Sequence, residues 1–261
     1  MPQRRVALVT GGTRGIGLET ALVLARLDFQ VVITSRPNSE AAGPALDRLR
    51  MQCPTALCLE LTMEDSHSAD TLVSRVTQET GRLDLLVQNA VYQGPLNHRR
   101  LESLSADDLQ AAWLASISSP VLIARAAFSW MRNQQREGAI LMVGSGAGRY
   151  DPPAAVDSGG WSFVYGASKA ALHRLCGVMD AETPDSGVFL VTVNPGVVDT
   201  PALRSTLGMN ADLVQKMGAQ KAEVVGEMIA WLACASPRAT WHRQFVDLQK
   251  LAWKGWDQGL V

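Results

Sequence analysis

Cysteine is scarce. The 261 residues hold four, Cys53, Cys58, Cys176 and Cys234, and no CxxC pair. That spacing suits neither a disulfide scaffold nor a thiolate metal site, and reduced thiols in a cytoplasmic protein are expected. Histidine is equally sparse, with four scattered residues, which argues against zinc. Charge of one sign is missing too: 24 Lys plus Arg face 25 Asp plus Glu. Such a balance leaves no electrostatic footprint for nucleic acid or for an anionic membrane. No apolar run reaches the ~18 residues of a membrane span, and the N-terminus has no signal-peptide core. Repeats and long Pro/Gly/Ser linkers are also absent, so a single domain over residues 1–261 is expected. Hydrophobic residues at 47% against 19% charged supply material for one large core.

Short apolar runs alternate with longer amphipathic ones. Val6 to Val9, Val31 to Ile33, Leu83 to Val87, Ala139 to Val143 and Val188 to Val193 read as buried strands. Ala56 to Leu61 and Gln244 to Leu248 are weaker versions. Helical patterns lie between them, at Gly15 to Leu27, Ser39 to Arg50, Asp65 to Thr80, Ala106 to Arg132, Tyr165 to Asp180 and Ala222 to Ala235. Alternation of this kind predicts an α/β fold with βαβ units and a Rossmann-type doubly wound parallel sheet of about seven strands. Gly144 to Ser162 and Asp199 to about Met209 read as loops. Pro120 falls inside the 106–132 pattern, where a kink or break near Ser119 is expected.

The first strand runs into Thr10-Gly11-Gly12-Thr13-Arg14-Gly15-Ile16-Gly17, and a helix follows. Glycines there let the backbone approach a pyrophosphate, and the helix N-terminus supplies N–H donors. The second strand ends in Ser35-Arg36 with no carboxylate. An acidic residue at that place would bond the ribose 2′-OH of NAD(H), whereas Arg36, with Arg14 and Ser35, suits the 2′-phosphate of NADP(H).

Tyr165 and Lys169 stand at i and i+4 on one helical face, in a chain with three tyrosines and five lysines. A free phenol with a pKa near 10 exchanges protons poorly at neutral pH, and a neighbouring ammonium is expected to lower it. With the glycine turn Thr10–Gly17, this pair makes the chain resemble the short-chain dehydrogenase/reductases over nearly its whole length.

The resemblance implies further positions. Glu60 and Leu61 lie where the family contacts adenine, and Asn89-Ala90 matches the start of its Asn-Ala-Gly. Ser145 stands at the catalytic serine, and Pro195, Gly196, Val198 and Thr200 stand at the nicotinamide end. Gly11, Thr13, Arg14, Gly15, Ile16 and Gly17, with Tyr165 and Lys169, complete the cofactor set. Three departures stand out: Val91 replaces a glycine, Ser116 replaces the asparagine of a proton relay, and Asp151 to Phe163 looks inserted.

By the resemblance, the expected reaction is NADPH-dependent reduction of a carbonyl in a small-to-medium apolar substrate, or its reverse. Tyr165 is the general acid/base, and Ser145 a donor to the same oxygen. Non-redox chemistry on the same fold, or a non-catalytic NADP(H)-binding regulator, are the alternatives. Substrate contacts are expected from Trp161, Ala202, Leu203, Leu207 and Met209, in loops near 151–163 and 199–220, with Tyr92 and Gln93 lining another wall. Trp253 and Trp256 mark a tail that is expected to fold over the site or a neighbouring subunit. A homodimer or homotetramer is expected through helices 106–132 and 165–180, with Trp113, Trp130, Leu172 and Leu175 as interface or core residues.

Overall fold

β1 (Val6–Val9) is four apolar residues with no exposed surface. Its alternation assigns its two faces. Ala7 and Val9 join one apolar layer, and Val6 and Leu8 join the other. A strand covered on both sides favours apolar residues throughout, which is why Val6 to Val9 shows no polar position. The structure is a computed structural model that describes residues 4–134, 137–206, 216, 218–234 and 240–252.

The elements follow in βα order. α1 (Gly15–Arg26), β2 (Gln30–Ser35), α2 (Ala42–Arg50), β3 (Leu57–Glu60), α3 (Ser66–Thr80) and β4 (Leu85–Gln88) form the first half. α4 (Ala106–Trp113), α5 (Ser119–Asn133), β5 (Gly138–Val143), α6 (Phe163–Glu182) and β6 (Val188–Asn194) form the second. β7 (Val198–Asp199), α7 (Pro201–Thr206), β8 (Gln220–Lys221), α8 (Ala222–Cys234), β9 (Phe245–Asp247) and α9 (Leu248–Ala252) complete it.

One seven-stranded sheet runs β3-β2-β1-β4-β5-β6-β9, every pairing parallel. The strand order reverses between β1 and β4, which opens a crevice at their C-terminal ends. Residues of α1, α2 and α8 cover one face, and residues of α3, α5 and α6 cover the other. Local signals set the helix ends. Asp65 accepts from the His67 N–H at 2.9 Å, Ser105 and Asp108 form a capping box, and Gly81 ends α3 with φ 73°.

Three expectations change. Of the kink or break expected near Ser119, the break does not occur: a π turn, Leu114–Ser118, joins α4 to α5, and Pro120 sits in the first turn of α5. Proline has no N–H to give the preceding turn, and the wider π turn absorbs the defect. Burial of Ser119, whose Oγ donates to the Met63 carbonyl at 2.6 Å, pins the junction. The resulting continuous stretch Ala106–Asn133 has 28 residues and a window of mean hydropathy 1.4. It is thus long and apolar enough to cross a membrane, contrary to the reading of the bare runs. Half of that window is buried inside the protein, however, with Ile123, Ala127 and Met131 in the core. Third, the stretch after Asp199 is not all loop: Thr200 Oγ1 accepts from the Leu203 N–H at 3.2 Å, and Pro201 opens α7. β7 and β8 form a separate parallel pair around this segment.

Candidate active site

Thr10, at the end of β1, ties the glycine turn to the chain leaving β4. Its Oγ1 accepts from the Asn89 and Ala90 N–H groups, each at 2.9 Å. Asn89 Nδ2 returns hydrogen bonds to the Thr10 carbonyl at 2.9 Å and the Gly11 carbonyl at 3.2 Å. Side-chain space vanishes here: a Cβ on Gly17 would stand 2.5 Å from both Asn89 Nδ2 and the Gly11 carbonyl oxygen. Thr13 and Ile16 are half-buried on this turn, and Thr200 lies beside Gly15, its γ-methyl 3.2 Å from where a Cβ would be. Arg14 precedes α1 in an extended conformation and makes no side-chain cap. The first N–H groups of α1 therefore have no side chain of their own helix to satisfy them, which suits an anionic ligand.

At the far side of the crevice, Ser35 is buried and stands against the Cys58 thiol, whose pKa it pulls down. Burial nevertheless raises the Cys58 pKa. Arg36 is exposed, and Arg14, also exposed, reaches the neutral Gln93 Oε1 at 3.3 Å. The Leu61 N–H donates to the Ser35 carbonyl at 2.8 Å, while Glu60 is exposed and its backbone carbonyl accepts from Arg75 at 2.9 Å.

Ser145 follows β5 and caps a 3-10 turn, Gly146–Gly148, accepting from the Ala147 N–H at 3.2 Å. Opposite it, Ser162 caps α6 by accepting from the Tyr165 N–H at 3.1 Å. The cap fixes the first turn of α6 and sets the Tyr165 phenol against the Ser145 hydroxyl, which pulls the phenol pKa down. Lys169, one turn on, is 5% exposed and donates from Nζ to the Val143 carbonyl at 2.9 Å.

The electrostatics depart from the sequence expectation. The Tyr165 pKa does not fall below its usual value beside Lys169. Burial raises the phenol above its usual value, against a smaller downward pull from Ser145. The ammonium lies 5.8 Å from the ring centroid and is committed to a backbone carbonyl. Burial also lowers Lys169 itself to about 8, because an ammonium loses more than an amine on leaving water.

Ser116 lies in the π turn, 6% exposed, and its buried Oγ has no hydrogen-bond partner among the described residues. Pro195 is buried, Gly196 (φ 72°) lies under the Gln249 side chain, and Val198 is in the core. Trp161 packs on Gly166, next to Tyr165, its Cδ1 3.3 Å from where a Cβ would be. Tyr92 packs with Leu96, Ala112 and Val164. Ala202 and Leu203, on α7, are half-buried. Leu207, Met209, Trp253 and Trp256 lie outside the described residues. Of the other residues expected at an interface or in the core, Leu172 is buried, Trp130 and Leu175 pack partly against the core, and Trp113 meets Phe163 at 6.0 Å. Among the described residues no cluster of metal-ligating side chains forms.

Gly148 escaped sequence reasoning. A Cβ there would stand 2.5–2.6 Å from the α6 backbone at Lys169 and Ala170. The alternation Gly144-Ser145-Gly146-Ala147-Gly148 was the available signal. The Arg100–Asp157 ion pair, 2.8 Å, ties the inserted segment to the chain before α4, and no local pattern announces it.

A family profile described as short chain dehydrogenase matches residues 5–210. An uncharacterized oxidoreductase of Escherichia coli (strain K12) is 29% identical over 254 residues, covering 93% of this chain and 98% of the relative. A 3-oxoacyl-[acyl-carrier-protein] reductase of Synechocystis is 28% identical over 75% of each chain. A crystal structure of a short chain dehydrogenase from Burkholderia cenocepacia J2315 in complex with NADP superposes with a TM-score of 0.78 at 26% identity, covering 94% of this chain and 96% of that one. The glycine turn, the Ser145–Tyr165–Lys169 group and these matches lead to one conclusion: the chain belongs to the short-chain dehydrogenase family of oxidoreductases.

Proposed function

We propose that this protein is an NADP(H)-dependent oxidoreductase that reduces a ketone or aldehyde of a small-to-medium, mostly apolar substrate, or runs the reverse oxidation. The observation that carries the reading is the Tyr165 phenol set against the Ser145 hydroxyl, beside the buried Lys169 ammonium. The residues fit the dinucleotide. The N-terminus of α1 lacks a side-chain cap, and two exposed arginines, Arg14 and Arg36, stand where no carboxylate follows β2. Arg is the fitted partner of a phosphate, and a 2′-phosphate distinguishes NADP(H) from NAD(H). The NADP complex of a relative supports the same choice.

Bound nicotinamide supplies or takes the hydride. Tyr165 supplies the proton: burial holds the phenol neutral at physiological pH, which is the form a general acid needs. Ser145 donates its hydroxyl hydrogen to the same substrate oxygen and stabilises the charge that grows there. Lys169 holds a positive charge nearby and orients the ribose end. Asn89, Pro195, Gly196 and Thr200 shape the nicotinamide side, and Trp161, Tyr92 and Leu203 give the substrate apolar walls. The relative named as a 3-oxoacyl reductase supports a carbonyl substrate. A reducing cytoplasmic setting and a homo-oligomer through α4–α6 belong to the same proposal, the latter supported by the exposed Phe163 and Val178 on α6.

The test is a panel of ketones and aldehydes with NADPH, followed by loss of nicotinamide absorbance. Turnover should appear with apolar ketones. Tyr165→Phe should lower kcat by about 10²–10⁴-fold while NADP⁺ binding persists. Full activity in that variant overturns the mechanism.

A further inference from the structure

His173 lies one helical turn beyond Lys169, on the same face of α6, and the reaction as written does not use it. Its imidazole fills a gap between three elements. Nε2 lies 2.6 Å from where a Cβ on Gly144 would stand, with a Thr192 methyl 2.8 Å from the same point. On the other side the ring meets Phe245, centroid to centroid 4.5 Å at 59°. Phe245 in turn lies under the Arg149 guanidinium, 5.3 Å from its centroid.

The Nε2 atom is buried and has no hydrogen-bond partner among the described residues. A buried, unpaired imidazole nitrogen is costly, and aromatic carbon would pack there without that cost. Burial, with the positive charges of Lys169, Arg149 and Arg174, holds His173 down to about 4, so the ring is neutral at physiological pH. These are the charged groups acting on it: Lys169 and Arg174 from α6, and Arg149 from the segment after β5. β6 and β9 present Thr192 and Phe245.

Gly144 is the link to the chemistry. It follows Val143, whose carbonyl holds the Lys169 ammonium, and precedes Ser145, whose hydroxyl meets Tyr165. We propose that His173 is a positioning residue for Lys169 and Ser145: its neutral ring, wedged between Gly144 and Phe245, holds the Val143–Ser145 backbone and closes the rear of the lysine site to water. The ring's shape and neutrality do this, and the nitrogen itself is dispensable. Burial is the sole cause of the lowered Lys169 pKa. Whatever keeps water away therefore controls that group.

The catalytic consequence rests on the proposed reductase reading, but the direct test does not. The chain has five lysines, few enough for NMR of the full protein with ¹³Cε-labelled lysine. The Lys169 signal is assigned by its loss in Lys169→Met. Wild-type Lys169 should titrate near 8. In His173→Ala water reaches the ammonium, and the midpoint should rise by at least about one pH unit toward the ordinary lysine value. His173→Phe keeps a neutral ring in the gap, and its midpoint should stay within about 0.3 of wild type. If His173→Ala does not fold, His173→Gln takes its place with the same direction of shift.

With an active ketone, the alkaline limb of kcat/KM should move with the NMR midpoint in each variant. For His173→Ala, kcat should fall about tenfold with little change in KM. A folded His173→Ala or Gln whose Lys169 midpoint is unmoved overturns the proposal. So does a His173→Phe that shifts as far as the alanine variant. Absence of any turnover in wild type defeats the reductase reading alone, because the NMR midpoints decide the role of His173 without it.

Discussion

Burial, with no counterion among the described residues, sets the chemistry of Lys169. Water favours an ammonium by its hydration, and a single backbone carbonyl does not replace three solvent partners. The group therefore titrates near 8 rather than near its usual value. It is protonated below that pH and loses its charge above it. kcat/KM for reduction should then be flat through neutrality and fall as pH rises past about 8, and a pH–rate profile checks this. At the other end of the crevice, Arg36 is exposed and unopposed by a carboxylate after β2. Arg36→Glu should weaken NADP⁺ binding about 10- to 100-fold, the worth of a charge-assisted hydrogen bond. NAD⁺ affinity should hold or improve, and fluorescence titration with both dinucleotides reads the difference. Tyr165, Lys169 and Arg36 were all legible as residue types at telling spacings. The direction in which Tyr165 and Lys169 shift was not, because desolvation comes from neighbours remote in sequence.

At the level of elements, α6 and the turn after β5 act as one unit. The close approach of Gly148 to the α6 backbone puts Ser145, Tyr165 and Lys169 into register. Gly148→Ala would place a Cβ 2.5–2.6 Å from backbone atoms that cannot step aside. Such overpacking should cost about 1–3 kcal/mol, seen as a drop in Tm of several degrees, with kcat falling because the serine moves away from the tyrosine. Strands and helices were readable from periodicity, since a buried parallel strand and a one-sided helix write different repeats. The π turn before Pro120 was not. Propensity alone predicts a kink or a break, whereas tertiary packing around buried Ser119 and Ile123 rewards keeping the helix continuous. The inserted segment is similar: Arg100 and Asp157 are 57 positions apart, and only the fold brings them together.

For the whole molecule, one sheet serves two ends of a single crevice, and cofactor binding should report on all of it. A ligand that binds the folded state at 100 times its Kd adds about 2.7 kcal/mol, or a Tm rise of about 5–10 °C for a chain near this size. Thermal unfolding with saturating NADP⁺ should show that rise, and NAD⁺ at equal concentration should show less. The amino-acid sequence by itself determined the order of elements, the parallel sheet, the glycine turn and the Tyr165/Lys169 spacing. All of these follow from local geometry: apolar period, glycine at a turn, two residues one helical turn apart. Tertiary structure alone decided that Lys169 is buried on the Val143 carbonyl, that Ser35 faces Cys58, that Ser116 is left without a partner among the described residues, and that His173 stands against Gly144. Burial and hydrogen bonding depend on which distant segments meet, and electrostatics at a site follows from how much water those segments exclude.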